Sequence, residues 1–445
     1  MWMPSNREEK PAKAVGSALL LAVFCLSLAA FFSTQAAEVF AYELTLQGLI
    51  DEALNNNPEL QASMYRASGA EYRIPQVKSL PDPLLSFGYQ NEGFSRYSYG
   101  QSEDSQWIFS ASQTIPFPGK LALKGEAAGH ESESLRANYE ALRLKTISKV
   151  KELYFDLYAT YKTADLVGER NRLFSRVEEA ALSLYASGKG SQQDVLLAQT
   201  EKYLLVEKEA LLRQKIQSLD AQLCGAIGRT SDLPLGRPAE TSPSSFAYTT
   251  DELIRIAEDR SPELKAKDGT IKSSEARLSF AKKDYIPDFT VTGGYIARGN
   301  GFGDMWSLTT SINVPIFYRT KQRHAVNEAN ASLMEASSDR AATRLAIISF
   351  VRDNYSLLKS SDKLMSLYRD GLIPKSRQDV ELALSGYRTG SVDAFTVISK
   401  LKSVIDFEIS YWGQFAEHEK AIARIEAATG LGSAYFSDSL GAGHE

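Results

Sequence analysis

Residues with the chemistry for catalysis or metal binding are few in this sequence and stand far apart. Histidine occurs at four positions only, His130, His324, His418 and His444. None of them has a second histidine or a cysteine at helical spacing, and the chain contains no Cys-x-x-Cys pair, although zinc sites usually bring about four ligands together. Neither the glycine-rich loop that binds phosphates nor the serine turn of α/β-hydrolases is present. The sequence therefore predicts no catalytic residues, no metal and no cofactor.

The bulk composition excludes two further classes of protein. The 445 residues carry a formal net charge of −5, whereas nucleic-acid-binding surfaces show clustered excess lysine and arginine. Hydrophobic residues make up 43% of the chain, yet no long apolar run occurs after residue 32. A bundle of membrane-spanning helices is excluded as well, because each span needs about 20 consecutive apolar residues.

The N-terminal region has the composition of an export signal. Arg7, Lys10 and Lys13 precede the almost wholly apolar stretch 15–32, and small residues follow. This order of charge, apolar stretch and small residues is typical of a secretory signal peptide. We expect residues 1–41 to be the signal, with an uncleaved membrane anchor as the alternative.

The two cysteines are not predicted to form a site. Cys25 lies inside the apolar stretch behind Phe24, where a lipoprotein signal would carry a small residue, so lipid attachment is not predicted. Removal of the signal would leave Cys224 alone, without a disulfide partner. We expect Cys224 to be a small core residue at an apolar helix end.

The second half of the chain repeats the first. The repeated motifs are Pro-Glu-Leu at 58–60 and 262–264, Pro-Asp at 81–82 and 287–288, Gly-Tyr at 88–89 and 294–295, Pro-Phe at 116–117 answered by Pro-Ile-Phe at 315–317, and Tyr-x-x-Gly at 185–188 and 387–390. Solenoid and propeller repeats are much shorter, at roughly 20 to 50 residues. One large unit has therefore been copied, and we expect the copies to be arranged around an axis.

Each copy contains two segments in which large apolar residues alternate with small polar ones. The period of two predicts strands, at about 84–90, 106–115, 288–296 and 305–315. A soluble sheet would carry lysine and glutamate on its wet face, whereas these polar positions are serine, threonine, glycine, glutamine and asparagine. The pattern favours an outer-membrane β-barrel with apolar residues outside and small polar residues inside. The residues expected to face lipid are Leu85, Phe87, Tyr89, Trp107, Phe109, Phe289, Val291, Tyr295, Trp306, Leu308 and Ile312.

Helices are predicted around each pair of strands. One helix precedes each pair, over 45–80 and 250–285. A very long helix follows, over 120–186 and 320–385, with apolar residues at the 3-4 spacing of a coiled-coil seam. At 1.5 Å per residue each would be roughly 100 Å long, although Pro374 should kink or loosen the second, because proline removes a backbone donor.

The predicted elements divide the chain into two structural repeats. Each long helix is expected to end at a glycine turn, from which a second helix returns. The first repeat covers 42–228 and the second covers 250–430. A segment rich in proline, serine and glycine joins them at 229–249, and 431–445 is expected to be a flexible tail.

One chain supplies too few strands for a barrel of its own. Strands with unpaired edges are not viable in lipid, where every backbone group needs a partner, and the smallest spanning barrels have about eight strands. At least two chains must therefore share one barrel. The long helices beneath it need a matching ring, since each narrow apolar seam has to be buried by neighbours.

At this point the chain resembles the TolC-like outer-membrane efflux factors. The resemblance covers about 44–430 and is carried by the duplicated element order, the Pro-Glu-Leu motifs, the strand exit Gln-Thr-Ile-Pro-Phe-Pro-Gly-Lys at 113–120 and the paired Tyr-x-x-Gly turns. It implies a mainly α-helical homotrimer, in which a twelve-stranded membrane β-barrel continues into a twelve-helix periplasmic α-barrel. It also implies an outer-membrane location with a long periplasmic extension.

The resemblance further implies that the helix tips dock on a periplasmic adaptor protein, which connects them to an inner-membrane pump. The tip residues that match the family are Tyr185, Gly188, Ser191 and Asp194 in the first turn and Tyr387, Gly390, Asp393 and Thr396 in the second. Turn formation alone is the competing explanation, above all for the two glycines. In the best-known family member, aspartates at the positions of Thr396 and Ser399 form a ring that narrows the entrance. This chain has no aspartate at either position, so it lacks that ring.

The function expected from these observations is a passive exit duct of a tripartite efflux system of the RND type, for drugs or heavy metals. The strand exit at 116–120 favours members that work with heavy-metal pumps. A type I secretion duct is the nearest alternative. A periplasmic coiled-coil scaffold or adaptor, with the strands in a soluble sheet, is the alternative from another class of protein.

Overall fold

The computed structural model describes residues 44–230 and 235–431. The predicted signal peptide, part of the predicted linker and almost all of the predicted tail lie outside the described residues. The first repeat contains helices α1 (Leu46–Asn56) and α2 (Pro58–Lys78), strands β1 (Leu84–Gln90) and β2 (Gln106–Ile115), and helices α3 (Lys120–Ala186) and α4 (Gln192–Ile227). The second contains α5 (Thr250–Arg260), α6 (Pro262–Lys283), β3 (Phe289–Ala297), β4 (Met305–Ile312), α7 (Gln322–Leu367), a π-helical turn (Tyr368–Leu372), α8 (Ile373–Thr389) and α9 (Ala394–Thr429).

The helix expected at the start of each repeat is in fact two helices. The breaks fall at Asn57 and Ser261, each directly before the proline that starts the next helix. A residue before proline avoids helical backbone angles, and proline suits the first helical position. The Asn57 side chain caps α2 by accepting hydrogen bonds from Glu59 N at 2.8 Å and Leu60 N at 3.2 Å. The Pro-Glu-Leu motif thus marks a corner between helices.

The four strands form one antiparallel sheet in the order β1-β2-β3-β4. Phe109 lies opposite Phe87 on one side and Tyr295 on the other, and Tyr295 lies opposite Trp306. This register brings all the residues predicted to face lipid onto one face of the sheet. Strand β4 ends before its expected limit, at Ile312, because Pro315 has no N–H for a ladder bond.

The hydrophobic core lies among the helices. Its first part forms where α3 passes α1, α4 and α9, with Val150, Leu157 and Phe415 fully buried. Its second part lies nearer the hairpin ends, between α3, α4, α8 and α9. Among the helices of the described residues, none combines the length and the hydropathy required to cross a membrane.

The second long helix is interrupted where Pro374 predicts. Ile373 N donates to the carbonyl of Tyr368, five residues back, so the turn before the proline is a π turn. The repeats differ in length across this region, because Tyr185 follows Leu157 by 28 residues whereas Tyr387 follows Leu358 by 29. A π turn accommodates an extra residue within a helix. The helix faces beyond the turn therefore stay aligned with those of the first repeat.

Candidate functional site

The first helical hairpin ends in a tight turn built by glycine and serine. Gly188 has φ +72°, a left-handed conformation that suits glycine. The N–H groups of Lys189 and Gly190 both donate to the carbonyl of Leu184, at 2.9 and 3.0 Å. Ser191 then caps the returning helix α4, because its hydroxyl accepts from Asp194 N at 3.2 Å.

The second hairpin ends in the same way with different side chains. Gly390 has φ +77°, and Asp393 caps α9 by accepting from Thr396 N at 2.8 Å. Hydrogen bonds from the side chain and the backbone of Thr396 hold the pKa of Asp393 below its usual range. Both predicted turns are therefore closed by hydrogen bonds, and the capping residue is negatively charged only in the second turn.

The two tyrosines that match in sequence lie in different environments. Tyr185 is 49% exposed, whereas Tyr387 is 4% exposed and packs in the second part of the core. Burial raises the pKa of Tyr387, and the nearby carboxylate of Asp194 raises it further. Tyr387 thus belongs to the packing between the two hairpins, and the exposed surface of the second turn is formed by other residues.

Sequence reasoning missed the exposed apolar residues beside the turns. Phe395 in the first turn of α9 is 66% exposed, and Leu196 on α4 and Leu382 on α8 are also exposed. Phe395 is the largest of the three, and aromatic residues are enriched in protein interfaces. The sequence feature that could have revealed this surface is Phe395, an aromatic residue two positions after Asp393 that lies outside the 3-4 spacing of the apolar seam.

A buried ionic network joins the hairpins above the turns. Glu408 on α9 is 3% exposed and accepts from Arg170 on α3 and from Arg377 on α8. Arg377 follows the π turn closely, so the network holds the rejoined helix α8 against α9. Buried charges require such pairing.

The sheet presents a broad apolar face without a cover. Phe87, Trp306 and Leu308 are strongly exposed on it, although burial of such large apolar side chains away from water is favourable. The opposite face is mostly serine and threonine, but Ile108 and Ile296 are paired there, and Met305 pairs with Ile296. These three residues, and Leu84 opposite Ser112 on the same face, depart from the uncharged polar face that the alternation predicted.

A second unpredicted feature lies where the sheet meets the helices. The side chain of Lys120 is only 4% exposed. Its ammonium nitrogen lies 2.9 Å from a carboxylate oxygen of Asp288 and 3.2 Å from a carboxylate oxygen of Asp284. Asp288 also accepts from Phe117 N at 2.8 Å. Burial alone would raise the pKa of Asp288, but these two donors outweigh it and hold the pKa below its usual range. The repeated Pro-Asp motif was the available signal.

No group of three or more potential metal ligands occurs among residues 44–230 and 235–431. His130 instead pairs with Glu133 at 2.9 Å on one helix, and His418 lies 3.0 Å from Glu419. His324 is exposed on α7.

The profile of the outer membrane efflux protein family matches residues 49–229 and 253–399, which is more than half of the chain. The chain belongs to this family. The match spans both repeats and includes both hairpin turns. It confirms the resemblance to TolC-like channels, and with it the location in the outer membrane and the periplasmic extension of the helices.

Several curated proteins are similar to this family member over most of its length. Pyoverdine export outer membrane protein OpmQ of Pseudomonas putida is 24% identical, over 87% of this chain and 84% of that protein. Cobalt-zinc-cadmium resistance protein CzcC of Cupriavidus metallidurans is 22% identical, over 87% of this chain and 90% of that protein.

Solved structures show the same fold. The outer membrane protein VceC of Vibrio cholerae superposes with a TM-score of 0.74 at 18% identity, over 86% of this chain and 96% of that one. CusC superposes with a TM-score of 0.75 at 16% identity, over 87% of this chain and 92% of that one. The family is one of efflux proteins, and CusC is a channel protein rather than an enzyme.

Proposed function

We propose that the protein is the passive exit duct of a tripartite efflux system. The observation that carries the proposal is the uncovered apolar face of a four-stranded sheet with two open edges. Such a face suits lipid, and such edges need partner strands in lipid. Three copies would supply a closed twelve-stranded barrel, as the family resemblance implies.

The helices extend the duct into the periplasm in this proposal. Each repeat, 42–228 and 250–430, contributes two strands and one long hairpin, with 229–249 joining the repeats and 1–41 acting as the export signal. The duct has no energy source of its own, so the pump at the inner membrane drives transport.

The hairpin turns are the proposed docking site for the periplasmic adaptor. Support comes from their hydrogen-bonded caps, their position at the hairpin ends and the exposed apolar residues beside them. Tyr185, Gly188, Ser191 and Asp194 would act in the first turn. Gly390, Asp393 and Thr396 would act in the second, together with Phe395, while Tyr387 would hold the second turn in place from within the core.

The proposed cargo is heavy-metal cations. Relatives named for resistance to cobalt, zinc and cadmium and for cation efflux support this choice, as does the strand exit at 116–120. The relative named for pyoverdine export is the competing precedent. A deletion strain should become sensitive to cobalt, zinc, cadmium or copper salts, and complementation should restore growth. Unchanged metal tolerance with loss of siderophore export would reject the cation assignment.

The duct itself is tested on the purified protein in detergent. We expect a trimer by mass photometry and stepwise ion conductance after insertion into planar bilayers. A monomer, or a trimer that never conducts, would contradict the proposal and favour a periplasmic scaffold.

A further inference from the structure

The loop between β1 and β2 begins on the apolar side of the sheet. Asn91 follows β1 directly, and its side-chain oxygen accepts a hydrogen bond from the hydroxyl of Tyr89 at 2.7 Å. Tyr89 belongs to the apolar face, so the Asn91 side chain lies on that side as well. The strand alternation agrees, because residues two apart point to the same face.

The next part of the loop is built around the Asn91 side chain. Its amide nitrogen donates to the carbonyls of Gly93 and Arg96, each at 2.8 Å. Its oxygen also accepts from Ser98 N at 2.9 Å. The hydroxyl of Ser98 is hydrogen-bonded to that of Ser105, and both serines are buried. These bonds hold the loop on the apolar side of the sheet.

Aromatic rings continue from the sheet into this loop. Tyr97 stacks on Tyr89, with ring centroids 5.0 Å apart, and Tyr89 lies 5.0 Å from Trp107. The ring of Tyr99 lies 6.2 Å from that of Tyr97. It also lies against the turn after β3, where a Cβ at Gly299 would be 2.8 Å from the ring. The loop thus extends the apolar face beyond the ends of β1, β2 and β3.

The loop exposes its most hydrophobic residue. Phe94 is fully exposed, and Tyr97 is 59% exposed, although burial of a phenylalanine side chain is worth about 1.5–3 kcal/mol. Glu92 and Arg96 stand on either side of Phe94 and are exposed too. Charged groups are costly to bury in hydrocarbon. Aromatic and charged side chains together suit the headgroup layer of a membrane rather than its interior.

The position of the loop agrees with such a layer. Helix α2 leads into β1 and β2 leads into α3, so the loop lies at the end of the sheet away from the periplasmic helices. We infer that residues 92–98 are a membrane anchor, in which Phe94 and Tyr97 insert among the lipid headgroups of the outer leaflet. The inference rests on the proposed barrel and adds a lipid contact outside the strands. The second repeat has only a short turn at 298–304, so each chain has one such anchor.

Site-specific fluorescence quenching tests the anchor. In a background with Cys25 and Cys224 replaced by alanine, Phe94→Cys is labelled with a thiol-reactive fluorophore. The protein is then placed in nanodiscs of phosphatidylcholine and phosphatidylglycerol. A nitroxide on the lipid headgroup should quench this label several-fold more strongly than a label at Gln90→Cys, and aqueous iodide should show the reverse order. Gln90 is the matched control, because it lies at the same end of β1 on the polar face.

Loss of the loop structure provides a second test. Asn91→Ala, combined with the label at Phe94→Cys, should reduce quenching by the nitroxide and increase quenching by iodide, because the loop is no longer held on the apolar side. A fluorophore that entered the lipid by its own affinity would be insensitive to this change. Unchanged quenching in the Asn91→Ala variant therefore overturns the anchor.

A label at Phe109→Cys tests the barrel separately. Phe109 lies on the apolar face of β2, so a nitroxide on the acyl chain should quench a label there in the proposed barrel. Quenching at Phe109→Cys without quenching at Phe94→Cys overturns the anchor and leaves the barrel intact. Shielding of Phe94→Cys from both quenchers, with disulfide-linked copies on oxidation, assigns the loop to a contact between copies and also overturns the anchor. Absence of lipid quenching at both positions overturns the barrel as well.

Discussion

Arg170 on α3 donates hydrogen bonds to both carboxylate oxygens of Glu408 on α9, at 2.8 and 2.7 Å. The contact joins the first long helix to the final helix of the second repeat, and it is the most deeply buried of several ion pairs between these two helices. Its burial makes the pair consequential, because either charge left alone would be poorly solvated.

Glu408→Gln should therefore destabilise the helical region strongly. Removal of one partner from a buried ion pair costs about 3–5 kcal/mol, and Gln keeps the shape while removing the charge. Thermal unfolding followed by helical circular dichroism should show a lower midpoint. Arg377→Ala is the control, since Arg377 is exposed and an exposed ion pair is worth about 0–1 kcal/mol. Equal shifts for the two variants would contradict this ranking.

The contact of α9 with the segment between the repeats should weaken in acid. Glu419 accepts from Ser244 N at 2.8 Å and from Ser244 Oγ at 2.7 Å. Burial would raise the pKa of Glu419, but the hydrogen bonds from His418 and Ser244 lower it overall. A lowered folded-state pKa stabilises the fold above the unfolded-state pKa of about 4.3, and this stabilisation is lost as the pH falls through the folded-state pKa.

Hydrogen exchange of residues 241–249 at stepped pH measures this loss. Protection should fall below about pH 4 in the parent protein. In Glu419→Gln it should be low at neutral pH and change little on acidification. A parent-like acid profile in the variant would assign the pH dependence to another group.

Bulk at the second turn should block adaptor binding. Open space surrounds the Cβ position of Gly390, so Gly390→Trp projects a large side chain from the turn. Gly390→Ala has the same unfavourable positive φ without the bulk, at a cost of about 1–2 kcal/mol. Adaptor capture on beads should be lost with Gly390→Trp and retained with Gly390→Ala, while both remain trimeric. Capture by the tryptophan variant would remove this turn from the docking site.

Deletion of one residue from the π turn should leave the fold stable, whereas deletion of one residue from the first long helix should not. Deletion of Gly371 together with Pro374→Ala should convert the turn to regular α-helix, because the extra residue and the missing N–H are both removed. The helix faces beyond it keep their alignment. Deletion of Gly168 in α3 instead rotates every later residue by about 100°, since an α-helix has 3.6 residues per turn.

The thermal midpoint of the two deletion variants measures the difference. The Gly371 variant should unfold near the parent temperature, and the Gly168 variant should unfold much lower or fail to assemble. A severe loss in the Gly371 variant would show that the π turn has a structural role beyond housing the extra residue.

The periodic parts of the fold were predictable from the sequence, and the contacts between them were less so. Alternation defines a strand because successive residues point to opposite faces, so the shared face of Phe87 and Tyr89 follows from their spacing alone. The break at Asn57 was missed because the apolar spacing continues across it, and only the preference of a residue before proline marks the corner. Likewise Tyr185 and Tyr387 look alike in sequence, and only the packing between hairpins buries the second.

The Lys120–Asp288 pair shows the same limit for the candidate site. Both residues stand in proline-containing motifs at strand ends, where a charge next to a turn is normally solvated. Their pairing depends on β2 and β3 being neighbours, which is a property of the whole sheet. The exposed Phe395 is similar, because its importance depends on what the rest of the turn leaves uncovered.

The two open edges of the sheet also determine how the protein can enter its membrane. A lone chain in lipid would leave the backbone groups of β1 and β4 without hydrogen-bond partners, so a single copy has no stable inserted state. In the proposed barrel, copies meet before or during insertion. The rate of insertion should then rise more steeply than in proportion to protein concentration, and slow synthesis should leave more copies uninserted.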